Sequence, residues 1–141
     1  MTTTARAERH VDAPRDRLWH ALTDPDTISR YLFGSRVETD WRVGSPILYR
    51  GEWDGRPYED KGTILEIAPG DRLVTSYYSP LSGKPDEPAS YQTVSYLLAD
   101  DGAGTLVTIT QDGCADEAEA QRMGANWAAV LESLKSVVEE A

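Results

Sequence analysis

The last third of the chain carries its clearest pattern of apolar and polar positions. An alternating, strand-like run at 104–111 is followed by a turn signal at Asp112 and Gly113. From about Asp116 to the C-terminus, apolar residues recur at three- and four-residue steps, which places them on one stripe of a helix. The stripe consists of Met123, Trp127, Val130, Leu131, Leu134, Val137 and Val138. A helix of about 25 residues is roughly 38 Å long, enough to cross a small domain.

The first third of the chain predicts one strand and two short helices. Residues 4–11 are predicted to form the strand, and Pro14 suits the first turn of the helix that follows, where its missing N–H costs nothing. Asp24 and Pro25 then end that helix and begin another, as its N-cap and first residue. Gly34 is predicted to end the second helix.

Turn signals divide the middle of the chain into strand candidates. Their ranges are 35–41, 46–53, 58–68, 72–79, 90–99 and 104–111. Asp54-Gly55 and Asp101-Gly102 are hairpin signals, because both residue types tolerate positive φ. The Pro-rich segment that begins at Ser79 is either a lid or a solvated hairpin loop. Consecutive hairpins predict an antiparallel sheet, and the element order predicts an α+β fold with the long helix across that sheet.

Several stretches of the sequence resemble those of a known family. They are 11–14, 18–25, 31–33, 62–74, 104–113 and 127–135. Together they resemble the AHSA-like proteins, named after the activator of Hsp-90 ATPase, within the START-like group that also holds polyketide cyclases and birch-pollen allergens. The resemblance covers nearly the whole chain. It implies the helix-grip fold: an antiparallel sheet wrapped around a long C-terminal helix, with two short helices after the first strand. Members include co-chaperones, cyclases and lipid carriers, so the fold does not fix the function.

Length, charge and cysteine content narrow the class of protein. The 141 residues are most simply one domain spanning 1–141, and 40% hydrophobic content is enough for a core. A net charge of −10 argues against nucleic-acid and anionic-membrane partners. The single cysteine, Cys114, excludes an intrachain disulfide and is expected to be inert. With no signal-peptide pattern and no apolar run near the ~20 residues of a membrane span, these features predict a cytoplasmic protein.

Strand alternation brings many aromatic side chains to one face of the predicted sheet. Under the long helix, that face predicts a hollow that is mostly apolar with a few polar groups, as small-molecule pockets are. The predicted ligand-binding residues are Phe33, Tyr49, Trp53, Tyr77, Tyr96, Gln111, Met123, Asn126 and Trp127. The alternative is a core that these same side chains fill completely.

No catalytic constellation is evident in the sequence. His10 and His20 lie outside the strands that face the hollow, which argues against a Ser–His–Asp arrangement. No metal-ligand spacing is present, so neither a metal site nor a cofactor is expected. The carboxylates nearest the middle of the sheet are Glu52, Glu59, Asp60 and Glu66. The triplet at 59–61 resembles a charged strand start, and Glu66, which alternates with apolar Leu65 and Ile67, is expected to face solvent.

Three functions follow from these features. The first is binding of a small hydrophobic or aromatic molecule, without chemistry of the protein's own. The second is a protein–protein module of the chaperone-cofactor type, which needs an exposed apolar patch; Trp41, Trp53 and Tyr58 are its candidates. The third is a cyclase, dehydratase or hydrolase acting on a polyketide-like or aromatic substrate, which needs a buried ionisable residue in the cavity. The pattern favours them in that order, and a homodimer stays open.

Overall fold

The computed structural model describes residues 3–53 and 55–140, except for the side chains of Trp53 and Leu81. The strands are β1 (Thr3–Val11), β2 (Arg36–Glu38), β3 (Pro46–Trp53), β4 (Arg56–Ala68), β5 (Arg72–Tyr77), β6 (Gln92–Asp101) and β7 (Gly104–Cys114). The helices are α1 (Arg15–Thr23), α2 (Pro25–Tyr31) and α3 (Glu117–Glu139). The predicted α+β helix-grip fold is confirmed. No helix among the described residues is long and apolar enough to cross a membrane.

The strands of the described chain form one antiparallel sheet in the order β1-β7-β6-β5-β4-β3-β2. From β2 to β7 each strand pairs with its neighbour in sequence, and β1 closes onto β7 at one edge. Helix α3 packs mainly against β1, and to a lesser extent against β7, α1 and α2. It therefore covers the β1–β7 side of the sheet and makes few contacts with β3 to β6.

Local caps set the helix boundaries that the sequence predicts. The carboxylate of Asp24 accepts a hydrogen bond from the backbone N–H of Thr27 at 3.1 Å, which begins α2. The carboxylate of Asp116 accepts from the N–H of Glu119 at 2.8 Å, and Glu119 in turn accepts from the N–H of Ala115 at 3.0 Å. The two bonds cap the start of α3 in a variant of the predicted capping box, in which Glu119 accepts from the N–H of the residue before the N-cap.

The C-terminal half of α3 is fully packed into the core. Its buried side chains are Val130, Leu131, Leu134 and Val138. They belong to one core cluster with side chains of α1 and α2 and with alternate residues of β5, β6 and β7 that the sequence assigned to the inner face, among them Leu73, Val94, Tyr96, Leu98, Val107 and Ile109. A void between α1, α2 and the sheet has a volume of about 10 Å³, too small to hold more than about one water.

Strand β4 contains a bulge that overturns one predicted side-chain orientation. Ile64 pairs with Thr75, but Glu66 pairs with Val74, so an extra residue, Leu65, has no partner in β5. The side chain of Leu65 is 46% exposed, although its alternation with Glu66 placed it on the inner face. Glu66 keeps a half-exposed side chain, as predicted.

A glycine allows β4 and β5 to approach unusually closely beyond this bulge. A Cβ atom at Gly62 would lie 1.8 Å from the carbonyl oxygen of Ser76. The N–H of the next residue, Thr63, is bound by the Ser76 hydroxyl at 2.8 Å rather than by a ladder carbonyl. Backbone pairing resumes only between Lys61 and Tyr78. The ladder is therefore irregular at Gly62, where a larger residue would displace the β5 backbone.

The turns at both ends of β7 differ in how well the sequence predicts them. The Asp101-Gly102 hairpin is confirmed, with φ +63° at Gly102. Asp54, half of the other predicted hairpin signal, lies outside the described residues. At its far end β7 does not stop at the predicted Asp-Gly turn but continues to Cys114 through a bulge, because a glycine with φ +72° shifts the register against β1.

The Pro-rich loop after β5 is folded back onto the sheet. The hydroxyl of Tyr78 donates to the carbonyl oxygen of Lys84 at 2.6 Å, and that of Tyr91 donates to Asp86 at 2.7 Å. Asp86 also pairs with Lys61 of β4. The two tyrosine rings stack with centroids 5.3 Å apart. These contacts favour the loop interpretation over that of a mobile lid.

His10, near the end of β1, lies between two carboxylates. Its Nδ1 is 2.8 Å from an oxygen of Asp101, and its Nε2 is 2.7 Å from an oxygen of Asp12. A carboxylate can only accept, so both ring nitrogens must donate, which requires the protonated imidazolium. The hydrogen bonds to Asp101 and then to Asp12 raise the pKa of His10. Helix α3 adds Glu139, which accepts from the N–H of Asp12 at 2.9 Å, and Lys135 beside it.

We expect this arrangement to make stability depend on pH. Because folding raises the pKa of His10 above its unfolded value of about 6.5, its stabilisation is complete below that pH and is lost as pH rises through the folded pKa. The free energy of unfolding of the protein, minus that of His10→Gln, should therefore fall as the pH rises above about 6.5. Urea titrations at a series of pH values measure this difference. Asp101→Asn keeps an acceptor for the Nδ1–H of His10 but removes its negative charge, so it should flatten the curve. A difference that is constant with pH would contradict the assignment.

Candidate functional site

A cavity of about 520 Å³ lies between the N-terminal half of α3 and the inner face of the sheet. Its size falls within the roughly 300–1,000 Å³ of small-molecule sites. The walls are formed by Leu32, Phe33, Ser35, Tyr49, Glu52, Tyr58, Asp60, Thr75, Tyr77, Val94, Tyr96, Gln111, Met123, Asn126, Trp127, Ala129 and Val130. None of these comes from the Pro-rich loop. The filled-core alternative therefore describes only the other end of the molecule.

Most of the predicted ligand-binding residues lie around this one cavity. Those that line it are Phe33, Tyr49, Tyr77, Tyr96, Gln111, Met123, Asn126 and Trp127. The side chain of Trp53 lies outside the described residues. The structure thus brings the predicted set together, and their role in binding a ligand stays a prediction.

The mouth of the cavity opens between the end of α2, the end of β3 and the middle of α3. The exposed wall residues there are Phe33, Glu52, Asn126 and Ala129, whereas Thr75, Val94, Tyr96 and Gln111 are buried at the inner end. The side chain of Phe33 is 71% exposed. This placement at the mouth agrees with the position that its sequence predicts.

Phe33 also holds a backbone conformation that favours glycine. Its φ is +54°, and the N–H of Gly34 binds the carbonyl oxygen of Ser29, so α2 ends in a Schellman motif with Phe33 at the left-handed position. Positive φ is uncommon for a bulky residue. A large exposed ring is therefore held at the cavity mouth at some cost in backbone energy.

A chain of amide hydrogen bonds holds α3 over the inner end of the cavity. The indole N–H of Trp127 donates to Gln111 Oε1 at 2.8 Å, and Gln111 Nε2 donates to Gln92 at 2.6 Å. The indole ring also meets Tyr96 edge-to-face, with centroids 6.0 Å apart. The amide of Gln111 therefore has a protein partner at each end and acts in positioning the helix.

The tyrosines of the cavity form a second, mutually bonded group. The hydroxyl of Tyr49 makes hydrogen bonds with Tyr96 and Thr75, and its ring contacts Tyr77 edge-to-face at 6.4 Å. Burial raises the pKa of Tyr49 to about 12. Burial also raises the pKa of Tyr77 and of Tyr96. All three hydroxyls therefore remain protonated around neutral pH and serve as neutral, donor-bearing walls.

Asp60 of β4 differs from the cavity tyrosines and Gln111 because one of its buried side-chain oxygens has no hydrogen-bonding partner among the described residues. The hydroxyl of Tyr77 donates to its Oδ2 at 2.6 Å. Its Oδ1 is buried and accepts no hydrogen bond from any described residue, and the whole residue is only 9% exposed. Tyr49 lies directly opposite it in β3. A buried acceptor without a donor costs free energy, so this oxygen needs a partner from outside the described protein.

Sequence reasoning missed Asp60. The interpretation of 59–61 as a charged strand start is wrong, because β4 begins at Arg56 and Asp60 lies well inside it. Asp60 shares the buried inner face with Gly62 and Ile64. Counting back from Ile64 in steps of two would have placed this carboxylate in the cavity.

Of the residues proposed for an exposed interaction patch, the two whose side chains are described, Trp41 and Tyr58, do not present exposed rings. Trp41 is partly buried against the core. Tyr58 is half-buried in the cavity wall, with its hydroxyl 2.5 Å from that of Ser35. The large apolar side chains that are exposed among the described residues are Phe33, Val43 and Leu65. The prediction of an apolar patch at Trp41 and Tyr58 is therefore wrong.

The remaining reactive groups of the described chain are inaccessible or isolated. Cys114 is buried, and burial raises the pKa of its thiol, which fits the inert role predicted for it. His20 is largely exposed and lies 3.7 Å from Asp24. Within residues 3–53 and 55–140, no three His, Cys, Asp or Glu side chains are grouped so that they could hold a metal ion.

Comparison with protein families identifies the group to which the sequence belongs. The profile described as "Activator of Hsp90 ATPase homolog 1-like protein" matches residues 12–139. The chain belongs to this family. The comparison with curated proteins gives no significant match. Membership of the activator of Hsp90 ATPase homolog 1-like family agrees with the AHSA-like resemblance and with the START-like architecture of the structure.

Solved structures support the same assignment. ChR145 from Cytophaga hutchinsonii is 40% identical, with a TM-score of 0.85 over 98% of this chain and 94% of its own. CalU16 from Micromonospora echinospora is 25% identical, with a TM-score of 0.73 over 98% of this chain and 86% of its own. MLL2253 from Mesorhizobium loti is 21% identical, with a TM-score of 0.77 over 99% and 98%, which shows the shared fold.

The amide chain predicts a measurable effect on stability. Gln111→Leu leaves the buried end of the Trp127 indole without an acceptor, so we expect the free energy of unfolding to fall by about 1–3 kcal/mol. Gln92→Leu keeps the indole bond and changes a half-buried residue that water can reach, so it should cost less. Urea unfolding followed by tryptophan fluorescence measures both. Equal losses in the two variants would contradict the positioning role of Gln111.

Proposed function

We propose that this protein binds a small hydrophobic or aromatic molecule in the cavity between α3 and the sheet. The observation that carries the proposal is a space of about 520 Å³ with a buried inner end and aromatic walls. The adjoining part of the core, between α1, α2 and the sheet, is filled to within a void of about 10 Å³, and Tyr49 and Tyr96 line both spaces. The larger space is therefore a local property of the region under the N-terminal half of α3.

Packing energetics support binding over an empty core. Atoms that line an unfilled space lose the dispersion contacts that a packed neighbour would supply. An apolar ligand restores these contacts and removes its own apolar surface from water, at about 25 cal/mol per Å². A ligand that binds only the folded protein also stabilises it by mass action. We therefore expect an apolar ligand to bind saturably and to raise the melting temperature of the protein.

Acid–base catalysis on the bound molecule is a second candidate. The observation that favours it is Asp60, a buried carboxylate in the cavity wall held by the hydroxyl of Tyr77. A general base needs a carboxylate within hydrogen-bonding reach of the proton that it removes. Turnover of a bound compound that is abolished in Asp60→Asn, with binding retained, would favour this candidate. The chaperone-cofactor alternative has less support, since neither Trp41 nor Tyr58 presents an exposed ring.

Blocking the mouth of the cavity should weaken binding. Ala129 is exposed on α3 and lines the cavity, so Ala129→Trp places an indole at the opening without disturbing the core. We expect the Kd for the neutral fluorescent probe N-phenyl-1-naphthylamine to be micromolar in the unmodified protein and at least about tenfold weaker in this variant, roughly 1.4 kcal/mol. Fluorescence titration of the probe measures both values.

Ala128→Trp is the matched control. Ala128 is the neighbouring exposed position on α3 but does not line the cavity, so its variant should bind the probe within about twofold of the unmodified protein. Equal weakening in both variants would place the probe elsewhere on the helix surface. An unmodified protein that shows no saturable binding at micromolar probe would overturn the proposed function.

A further inference from the structure

The charge inside the cavity has one sign. Among the described residues that line it, the charged side chains are Asp60, buried in the wall, and Glu52, exposed at the mouth. No Lys, Arg or His of the described residues lines the cavity. Two cations, Arg36 and Arg50, line an adjoining open groove, and Arg50 is already paired with Glu38 and Glu59. The cavity therefore presents negative charge to whatever enters it.

Among the described residues, the buried polar side-chain atoms of the cavity other than Asp60 Oδ1 have partners within the protein. Gln111 bonds to Trp127 and to Gln92, and the hydroxyl of Tyr77 donates to Asp60. The carboxylate oxygen Oδ1 of Asp60 is left without a donor. A donor that arrives with the ligand would be its first hydrogen-bonding partner.

The aromatic walls add a second attraction for positive charge. The rings of Tyr49 and Tyr77 are in edge-to-face contact next to Asp60, and those of Tyr96 and Trp127 meet in the same way further in. The faces of such rings attract an ammonium group, and more strongly when that group is desolvated. Aromatic rings beside a carboxylate therefore suit an organic ammonium ion, whereas the charges of Asp60 and Glu52 would repel an anion.

We propose that the ligand is an organic cation: an ammonium group on a hydrophobic or aromatic body, with the ammonium paired to Asp60 and the body between the aromatic walls. This inference rests on the proposed function and names the ligand class for the same cavity. The overall charge of −10 acts in the same direction, since it raises the local concentration of cations around the protein. Carboxylic acids and other anions of the same shape are disfavoured by both the local and the overall charge.

A matched series of ligands tests the inference. 1-Naphthylmethylamine, 1-naphthylmethanol and 1-naphthoate share a ring system and differ in the charge of one substituent at pH 7. Isothermal titration calorimetry should give the tightest binding for the amine, with the carboxylate at least about thirtyfold weaker, roughly 2 kcal/mol. Amine affinity should fall as salt is raised, while that of the alcohol should change little.

Two variants assign the preference to Asp60. Asp60→Asn keeps the shape and an acceptor for Tyr77 but removes the charge, so the amine should bind about tenfold more weakly and the alcohol within about twofold of the unmodified protein. Glu66→Gln makes the same kind of change further along β4, at a half-exposed position that lines neither the cavity nor the adjoining groove, and should leave both affinities unchanged.

The outcomes separate this inference from the proposed function. Binding of the alcohol with no preference for the amine overturns the cation inference and leaves the proposed function standing. Absence of binding by all three compounds overturns both. An amine preference that survives in Asp60→Asn moves the charge recognition away from Asp60 and overturns the inference. Should that variant not fold, a salt-independent amine affinity in the unmodified protein overturns it equally.

Discussion

Helix α3 is anchored along one edge of the sheet, and the rest of the molecule depends on that placement. A single helix cannot pack closely along its whole length against a twisted sheet. The C-terminal half of α3 is packed by Leu131 and Leu134 against α1, α2 and the inner face. The N-terminal half is held above the sheet by the bond from Trp127 to Gln111. The space that remains between this half and the tyrosine-bearing strands is the cavity, so the packing that stabilises the fold also produces the site.

Two residues of the cavity contradict local structural preference, and both are best explained by the site. Phe33 holds a left-handed conformation that glycine adopts more easily, and its ring gains little packing in return. Asp60 keeps a buried carboxylate oxygen without a donor. Each costs free energy that a residue chosen only for stability would recover. Departures of this kind gather at functional sites, and here they lie at the mouth and in the wall of one cavity.

The sequence predicted the features that depend on nearby residues, such as helix limits. It failed to predict features that depend on how neighbouring strands pair. Caps such as Asp116 are short-range signals, so the helix limits followed from the sequence. Period-two alternation placed most of the aromatic wall correctly. Leu65 was misplaced because a bulge is set by the pairing of β4 with β5, which no local signal reveals. Asp60 was not assigned to the cavity because the predicted strand began at residue 58, two residues after the start of β4 at Arg56. The carboxylate therefore looked like part of a charged strand start. The bonds that join Gln111 to Trp127 depend on tertiary contact and could not be derived from spacing.

The architecture of the cavity and the charge of its wall depend on different residues of this protein. ChR145 shares the fold at a TM-score of 0.85 with 40% identity, so most side chains can change while the helix and sheet keep their relation. The volume of the cavity follows from that shared relation, but its charge follows from single positions. In a desolvated wall one unit charge interacts far more strongly with a ligand than it does in water, whereas a change of one apolar residue alters only contact area. A substitution at Asp60 should therefore change which ligands enter more than any substitution among the surrounding aromatic residues, and the chemistry of the site resides in the least typical residue of its wall.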